Sequence, residues 1–433
     1  MPGDTIIFIV LYFFIAIPFL ISYYKKHKSS PVLFFVMMQV VMFTGIITAP
    51  QAKSENGNLL ITFYVLALFF YILGVSFSTL IYEKRNSVSF HSSSSGNLNL
   101  LEAVAIRKKQ YYVIFFLIII SVLACLWFYA KAGMNLFVLA ILNFFTDNLT
   151  VFRDERFSFF DIQGVGYIYQ LRTVILPAFN LFLLFGEPVR KYRRWGWYLF
   201  PISLIFLLGT GQRNAFVFLM AFLIVYLILL NKNNLYRVNP RKLLLFGLAA
   251  VFFLIVMTVA NGRVSDESSS VFVGALWSIF ERIFSINSKS ALAAFDYIQT
   301  QPTVWGYDWM MMLADILPGK TNYLSVDRIV YYIAYGNYSG SGPPCIWGSA
   351  WYNWSYFGVT VFPFLLGFFY QQVYFYFKNR RRRLDLFFNS FFSVYLALWT
   401  MGSPAFIFNN GIFVMFLTYV WLKTVNKGSL MTH

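Results

Sequence analysis

Residues 111–130 read YYVIFFLIIISVLACLWFYA, twenty positions without a charge, with Arg107, Lys108 and Lys109 before them and Lys131 after. At about 1.5 Å of rise per residue, a helix of this length crosses the roughly 30 Å hydrocarbon core of a bilayer. Moving outward from this run, similar apolar stretches recur to both ends of the chain. Before it stand Thr5–Ser22, Pro31–Thr48 and Leu59–Ile81. After it come Tyr167–Phe185, Trp197–Leu208, Asn214–Leu230, Leu243–Ala260, Ser355–Phe377, Asp385–Thr400 and Gly411–Leu422. Composition agrees: 59% of the 433 residues are hydrophobic, 21% are aromatic and the mean hydropathy is +0.64. So few polar groups do not coat a soluble surface. The expected fold is an all-α polytopic membrane protein, a single integral membrane domain over residues 1–433, with roughly eleven transmembrane helices.

The net charge of +17 invites a nucleic-acid reading. Its placement argues otherwise, because the basic residues alternate with the spans. Lys25, Lys26, Lys28, Lys84, Arg85, Arg107–Lys109, Arg190, Lys191, Arg193, Arg194, Lys232, Arg237, Arg241, Lys242, Lys378, Arg380–Arg383, Lys423 and Lys427 lie in one set of connectors. They are 23 of the 34 basic residues, and the opposite set holds ten. By the positive-inside rule the first set is cytoplasmic, which turns the long loops outward. The lipid bilayer, and no nucleic acid, is the expected partner of this charge.

Two outer loops are long enough to matter, 131–166 and 261–354. The second begins Asn-Gly-Arg-Val-Ser-Asp-Glu-Ser-Ser-Ser at Asn261 and ends near Ser-Gly-Ser-Gly-Pro-Pro-Cys-Ile-Trp-Gly at Gly348. Within the loops, Met134–Phe145 and Val271–Ser285 are apolar but too short to span, as expected of helices lying along the interface. Short helical patterns then alternate with breakers: Lys289–Thr300 before Pro302, Trp309–Leu317 before Pro318-Gly319, and Leu324–Tyr335 before Gly336. The 261–354 loop is therefore expected to be a folded cap.

Arginines carry the sharpest chemical signal. Arg172 lies inside a span near its outer end, where a guanidinium must meet a polar cavity, an anion or a carboxylate. Arg213 belongs to Leu-Gly-Thr-Gly-Gln-Arg-Asn (208–214), a Gly-rich turn that opens the next helix. Free N–H groups and the helix dipole favour an anion there; snorkelling to lipid headgroups is the alternative. Arg153, Arg156, Arg263, Arg282 and Arg328 are candidates to extend an anion site, although each has an acidic neighbour with which it can pair. One of the outer carboxylates (Asp147, Asp154, Glu155, Asp161, Asp266, Glu267, Glu281, Asp296, Asp308, Asp315 and Asp327) is expected to accept a proton from a hydroxyl. Most of the others are expected to be surface or paired groups, and Asp266 and Glu267 are the candidates. Tyr323, Tyr332, Trp347 and Trp351 are candidate sugar-binding rings, with an ordinary aromatic belt at the interface as the competing reading.

What is missing narrows the chemistry. No GxxxxGK[ST] occurs, so the Thr-Gly-Gln-Arg turn is not a phosphate loop for ATP. No Asp-x-Asp pair is available to hold a metal diphosphate. His27, His91 and His433 fall in cytoplasmic or terminal positions, and Cys125 and Cys345 make neither a metal spacing nor a disulfide framework. The expected site uses arginines, carboxylates and hydroxyls, with no metal and no cofactor.

Taken together, the many spans, Leu-Leu-Gly-Thr-Gly-Gln-Arg-Asn opening a helix, and an outer loop ending in Gly-Pro-Pro-Cys-Ile-Trp-Gly-Ser-Ala-Trp-Tyr-Asn-Trp-Ser-Tyr-Phe-Gly-Val resemble the O-antigen polymerases. These are the Wzy-type oligosaccharide repeat-unit polymerases. An Arg-x10-Gly pattern found in two outer loops of some members fits Arg153…Gly164 and Arg263…Gly274. The resemblance implies a GT-C-like helical fold in the bacterial inner (cytoplasmic) membrane, with the active site facing the periplasm. It implies transfer of a growing glycan from undecaprenyl pyrophosphate to a second lipid-linked repeat unit, and a chain-length regulator and a flippase as pathway partners. An O-antigen ligase shares the layout but typically carries a histidine in the large outer loop, absent here. A flippase would be expected to show paired halves or repeats, and a polyprenyl-linked sugar transferase would carry an acidic first outer loop, whereas Thr48–Asn58 offers only Glu55. On this reading, Arg172→Ala and Arg213→Ala each abolish polymer without lowering protein levels.

Overall fold

The computed structural model describes residues 3–89, 108–144, 165–211, 214–237, 239–260, 271–281, 284, 287–315, 323–336 and 341–427. Among these residues the chain is helical throughout, with no strand. The expected spans fall on helical stretches, with Ser355–Phe377 broken at Thr360 into Tyr356–Val359 and Val361–Lys378. Seven helical stretches are long and apolar enough to cross a membrane: Thr5–Lys26, Pro31–Thr48, Glu55–Arg85, Lys108–Ala132, Gly166–Gly186, Asn214–Lys232 and Arg383–Met401. Ala250–Val259 and Ile412–Val425 are shorter apolar helices. The expected interfacial segments are helices too, at Leu136–Phe144 and Val271–Glu281.

The chain divides into two compact units. The first comprises Met1–Asn97, Glu281–Arg380 and Phe392–Ile407. Its framework is the pair formed by the helices Glu55–Ser89 and Val361–Lys378, whose backbones approach closely where both carry glycine. A Cβ on Gly74 would lie 2.0 Å from the Phe364 carbonyl oxygen, and one on Gly367 would lie 2.2 Å from that of Tyr71. Small residues serve this purpose in bilayers, where lipid tails give no hydrophobic drive and close packing must hold helices together. Gly74→Ala is therefore expected to lower the melting temperature in detergent, at an overpacking cost of about 1–3 kcal/mol. An unchanged melting curve would mean that the helices can separate freely.

The long-loop helices of this unit are Asn287–Gln299, Tyr307–Ala314, Val326–Tyr335 and Cys345–Trp354. The last differs from the expected cap. Cys345, Ile346, Trp347, Gly348, Ser349, Ala350 and Asn353 are all buried, and the Trp347 indole N–H donates to Gln39 Oε1 (2.8 Å), midway along the Pro31–Thr48 helix. Ten residues are too few to span, yet the small side chains of Gly348, Ser349 and Ala350, all buried, let the helix pack closely on several sides.

The second unit comprises Leu98–Phe280, Arg381–Phe391 and Phe408–His433. Phe179, Phe182, Phe222 and Phe387 interlock at its centre through ring contacts of 5.1–5.4 Å. The expected span Tyr167–Phe185 is not a regular α-helix. Val165–Gln170 passes into a π-helical turn at Leu171–Ile175, returns to α-helix at Leu176–Leu181, and ends in a second π turn at Phe182–Gly186. Pro177 explains the first π turn, since its ring would collide with the carbonyl four residues back in a tight α-helix. The basic connector also contributes to this unit's interior: Arg383 donates to the Gly186 and Leu235 carbonyls (3.0 and 2.9 Å), and buried Asp385 pairs with Lys423 at 2.7 Å.

Candidate functional site

Within the second unit, the π turn carries Arg172. Its side chain is 2% exposed. Nη1 donates to Thr210 Oγ1 (2.7 Å), to the carbonyls of Phe206 and Leu207 (3.3 Å each) and to the Tyr129 hydroxyl (3.3 Å). The guanidinium also lies 5.5 Å from the centre of the Tyr169 ring. Phe206 and Leu207 end the Arg190–Leu208 helix, so Arg172 places a positive charge where backbone carbonyls run out of helical partners and the dipole is negative. From sequence this residue is expected to meet a cavity, an anion or a carboxylate; among the described residues, Nη1 is engaged with the end of a neighbouring helix.

The other helix-end groups are held as tightly. Tyr129 donates its hydroxyl to Phe206 O (2.7 Å), the Asn135 amide reaches Ile205 O (3.3 Å), and the Leu136 N–H reaches Gly209 O (2.7 Å). This crowding dictates the first glycine of Gly209-Thr210-Gly211, because a Cβ on Gly209 would lie 2.4 Å from the Tyr129 hydroxyl oxygen. The second glycine is dictated by its backbone, with φ +70° and its N–H on Leu208 O at 2.8 Å. The turn expected from two glycines is thus a braced platform, and the Asn214–Lys232 helix starts three residues beyond it. Tyr129, Asn135 and Thr210 were not legible as its supports, since their contacts join positions far apart in the chain.

Within the first unit, a second polar cluster lies among the long-loop helices. Asp308, in the first turn of Tyr307–Ala314, is completely enclosed. Its Oδ1 accepts from the Tyr323 hydroxyl (2.8 Å) and from the Val326 N–H (3.3 Å), the latter at the start of the Val326–Tyr335 helix. Its Oδ2 has no partner among the described residues. Burial raises the Asp308 carboxyl to about 6, with the Asp327 charge pushing the same way and the Tyr323 bond opposing both. Asp327 is itself half-buried. Its Oδ1 is enclosed without a partner among the described residues, its Oδ2 accepts from Ser341 (3.0 Å), and burial raises its carboxyl, opposed by hydrogen bonds first and the Arg328 charge least.

The strap before Asp308 is built with equal care. The Val304 and Gly306 N–H groups donate to the Tyr352 and Asn353 carbonyls (3.0 and 2.8 Å), Trp309 N–H donates to Asn353 Oδ1 (3.1 Å), and the Trp309 indole donates to Ser349 (2.7 Å). Gly306 adopts φ +82° against the face of Trp354, where a Cβ would lie 2.4 Å from the ring.

Several residues singled out from sequence meet here and others do not. Tyr323 touches Asp308, and Arg328 and Tyr332 stand one turn apart on an exposed face of Val326–Tyr335. Trp347 and Trp351 are not open stacking platforms. Trp347 is 1% exposed and packs against Phe35 and Phe362, while the Trp351 ring is 4.5 Å from that of Phe63 and 5.0 Å from that of Tyr356. The Trp347 ring is enclosed by protein, and Trp351 is half-buried. Arg153, Arg156, Arg213, Arg263, Arg282, Asp266 and Glu267 lie outside the described residues. Asp308 was one of eleven outer carboxylates by sequence; its distinguishing signal, an acid set between aromatic neighbours in Trp-Gly-Tyr-Asp-Trp (305–309), is faint.

No curated protein and no solved structure matches this chain. A family model described as O-antigen polysaccharide polymerase Wzy matches residues 155–428, which takes in the Arg172 turn, the Gly209–Gly211 platform and the Asp308 cluster. Matched over more than half its length, the chain belongs to the O-antigen polysaccharide polymerase Wzy family.

Proposed function

We propose that this multi-pass membrane protein is a glycosyltransferase-type polymerase that joins lipid-linked oligosaccharide repeat units into O-antigen or a related surface polysaccharide. The family match over residues 155–428 carries the reading. In finer detail, the donor is a glycan on undecaprenyl pyrophosphate, and the reaction takes place at the periplasmic face of the bacterial inner membrane. The distribution of basic connectors supports that orientation.

An acceptor sugar hydroxyl attacks the anomeric carbon of the donor, the bond from that carbon to the pyrophosphate oxygen breaks, and undecaprenyl pyrophosphate departs with the electron pair. The departing group is a good one, so it needs charge stabilisation more than protonation. Arginines supply this without a metal, because they stay charged and grip phosphate oxygens in pairs. Arg213, placed just beyond the braced Gly209–Gly211 turn and before a helix N-terminus, is the best placed of them. Arg172 supports that turn from beneath. Arg153, Arg156, Arg263, Arg282 and Arg328 remain separate candidate anion-binding groups, Asp266 and Glu267 remain candidate proton acceptors, and Tyr332 stands exposed one turn from Arg328. A chain-length regulator and a flippase of the same pathway are the proposed partners.

Deletion of the gene, followed by separation of the surface polysaccharide on a gel, tests the reading. Loss of a polymerase leaves lipid A core bearing at most one repeat unit, and re-expression restores the ladder. A deletion strain with no repeat unit at all would instead indicate a ligase or a flippase.

A further inference from the structure

We propose that Tyr323 and Asp308 form a proton relay for the acceptor sugar, in which Tyr323 touches the reacting hydroxyl and Asp308 takes the proton through it. The inference rests on the polymerase reading and names the groups that activate the acceptor.

Three observations on side-chain geometry lead to it. First, Asp308 is fully enclosed, so a sugar cannot reach it directly in this structure, whereas Tyr323 is only partly buried and donates its hydroxyl to Asp308 Oδ1 at 2.8 Å. Second, Asp308 Oδ2 is buried without a partner among the described residues. A carboxylate present only to cap the Val326–Tyr335 helix through the Val326 N–H would not need to stay enclosed beside a second carboxylate, Asp327, with an unpartnered oxygen of its own. Third, the surrounding strap holds Asp308 in place through Gly306, Trp309 and Asn353, the rigid support that a positioned base requires.

The step balances. The acceptor O–H proton passes to Tyr323 Oη as the tyrosine's own proton passes to Asp308 Oδ1. The freed oxygen forms its bond to the anomeric carbon while the bond to pyrophosphate breaks, and Asp308 later returns the proton to solvent through the same hydroxyl. Burial and the adjacent carboxylate push Tyr323 well above the usual phenol range, so it passes a proton on without holding a charge of its own. The charged and titratable groups facing Asp308 are Tyr323, Asp327 with Arg328 beside it on the Val326–Tyr335 helix, and Tyr352 on the Cys345–Trp354 helix. Because the relay works only with Asp308 ionised, the rate should fall as pH drops through about 6.

The test uses the full-length protein in proteoliposomes, supplied with lipid-linked repeat units extracted from the strain that lacks the gene. Asp308→Asn keeps an oxygen for the Val326 cap but cannot accept a proton. It is expected to reach normal levels, to melt no lower than wild type at neutral pH, and to lose about 100-fold or more of the initial rate. Tyr323→Phe is expected to lose a comparable factor. Asp327→Asn removes the neighbouring charge that raises Asp308, so it should keep activity and move the acid limb of the pH–rate profile to lower pH. Wild-type rates from Asp308→Asn would reduce that residue to a helix cap, wild-type rates from Tyr323→Phe would remove the relay, and an unmoved limb in Asp327→Asn would show that the limb belongs to another group. Each of these leaves the polymerase reading standing. Failure of the wild-type protein to extend the units would sink that reading itself.

Discussion

Alanine at position 172 is expected to remove most of the folded protein, and polymer with it. Arg172 Nη1 joins Thr210 Oγ1, Phe206 O, Leu207 O and the Tyr129 hydroxyl in one buried cluster. Phe206 O would keep its bond from Tyr129, but Leu207 O and Thr210 would lose the donor. Each enclosed polar group so abandoned costs about 1–3 kcal/mol, and a cation at a partly buried helix C-terminus contributes up to about 2 kcal/mol more. Against a typical net stability of about 5–15 kcal/mol, that sum is large. Arg172→Lys keeps the charge at the helix end but loses the fork, so it should fall between alanine and wild type. Melting curves in detergent, with membrane-fraction immunoblots, decide the matter. Wild-type levels and melting in Arg172→Ala, with polymer lost, would show that the guanidinium serves a ligand and not the helix.

This expectation differs from the one sequence suggests, and the reason is physical. A charge inside an apolar run is visible in the chain, and so is the need to satisfy it. What satisfies it is not visible, because the described partners of Nη1 come from residues 34–43 positions away. The same contrast runs through the fold. Spans are legible because a bilayer imposes one length and one polarity on every helix that crosses it. The Cys345–Trp354 helix escaped because Ser-Gly-Ser-Gly-Pro-Pro before it reads as loop and ten residues fall short of a span. Only burial against Gln39 and Phe35 reveals it as part of the interior. Asp308 likewise looks like ten other outer carboxylates until its enclosure and its bond to Tyr323 are known.

Separating support from chemistry leads to the second large effect, at Arg213. The braced turn ends at Gly211, whose position is set by its own N–H on Leu208 O and by the Leu136 bond to Gly209 O. These bonds are made by backbone groups of described residues, and the Asn214–Lys232 helix has its own buried face of Phe216, Leu219, Phe222 and Leu223 to hold it. Arg213→Ala is therefore expected to leave protein level and melting temperature unchanged. If the residue grips the departing pyrophosphate, losing it costs about 100- to 1000-fold in rate, the scale of a lost electrostatic donor to a developing anion. In cells the gel would show lipid A core with one repeat unit in place of a ladder. Arg213→Lys should recover only part of the rate, because an ammonium cannot make the paired, planar contact of a guanidinium. Full-length polymer from Arg213→Ala would remove the anion role from this turn and leave the Gly209–Gly211 platform as scaffold alone.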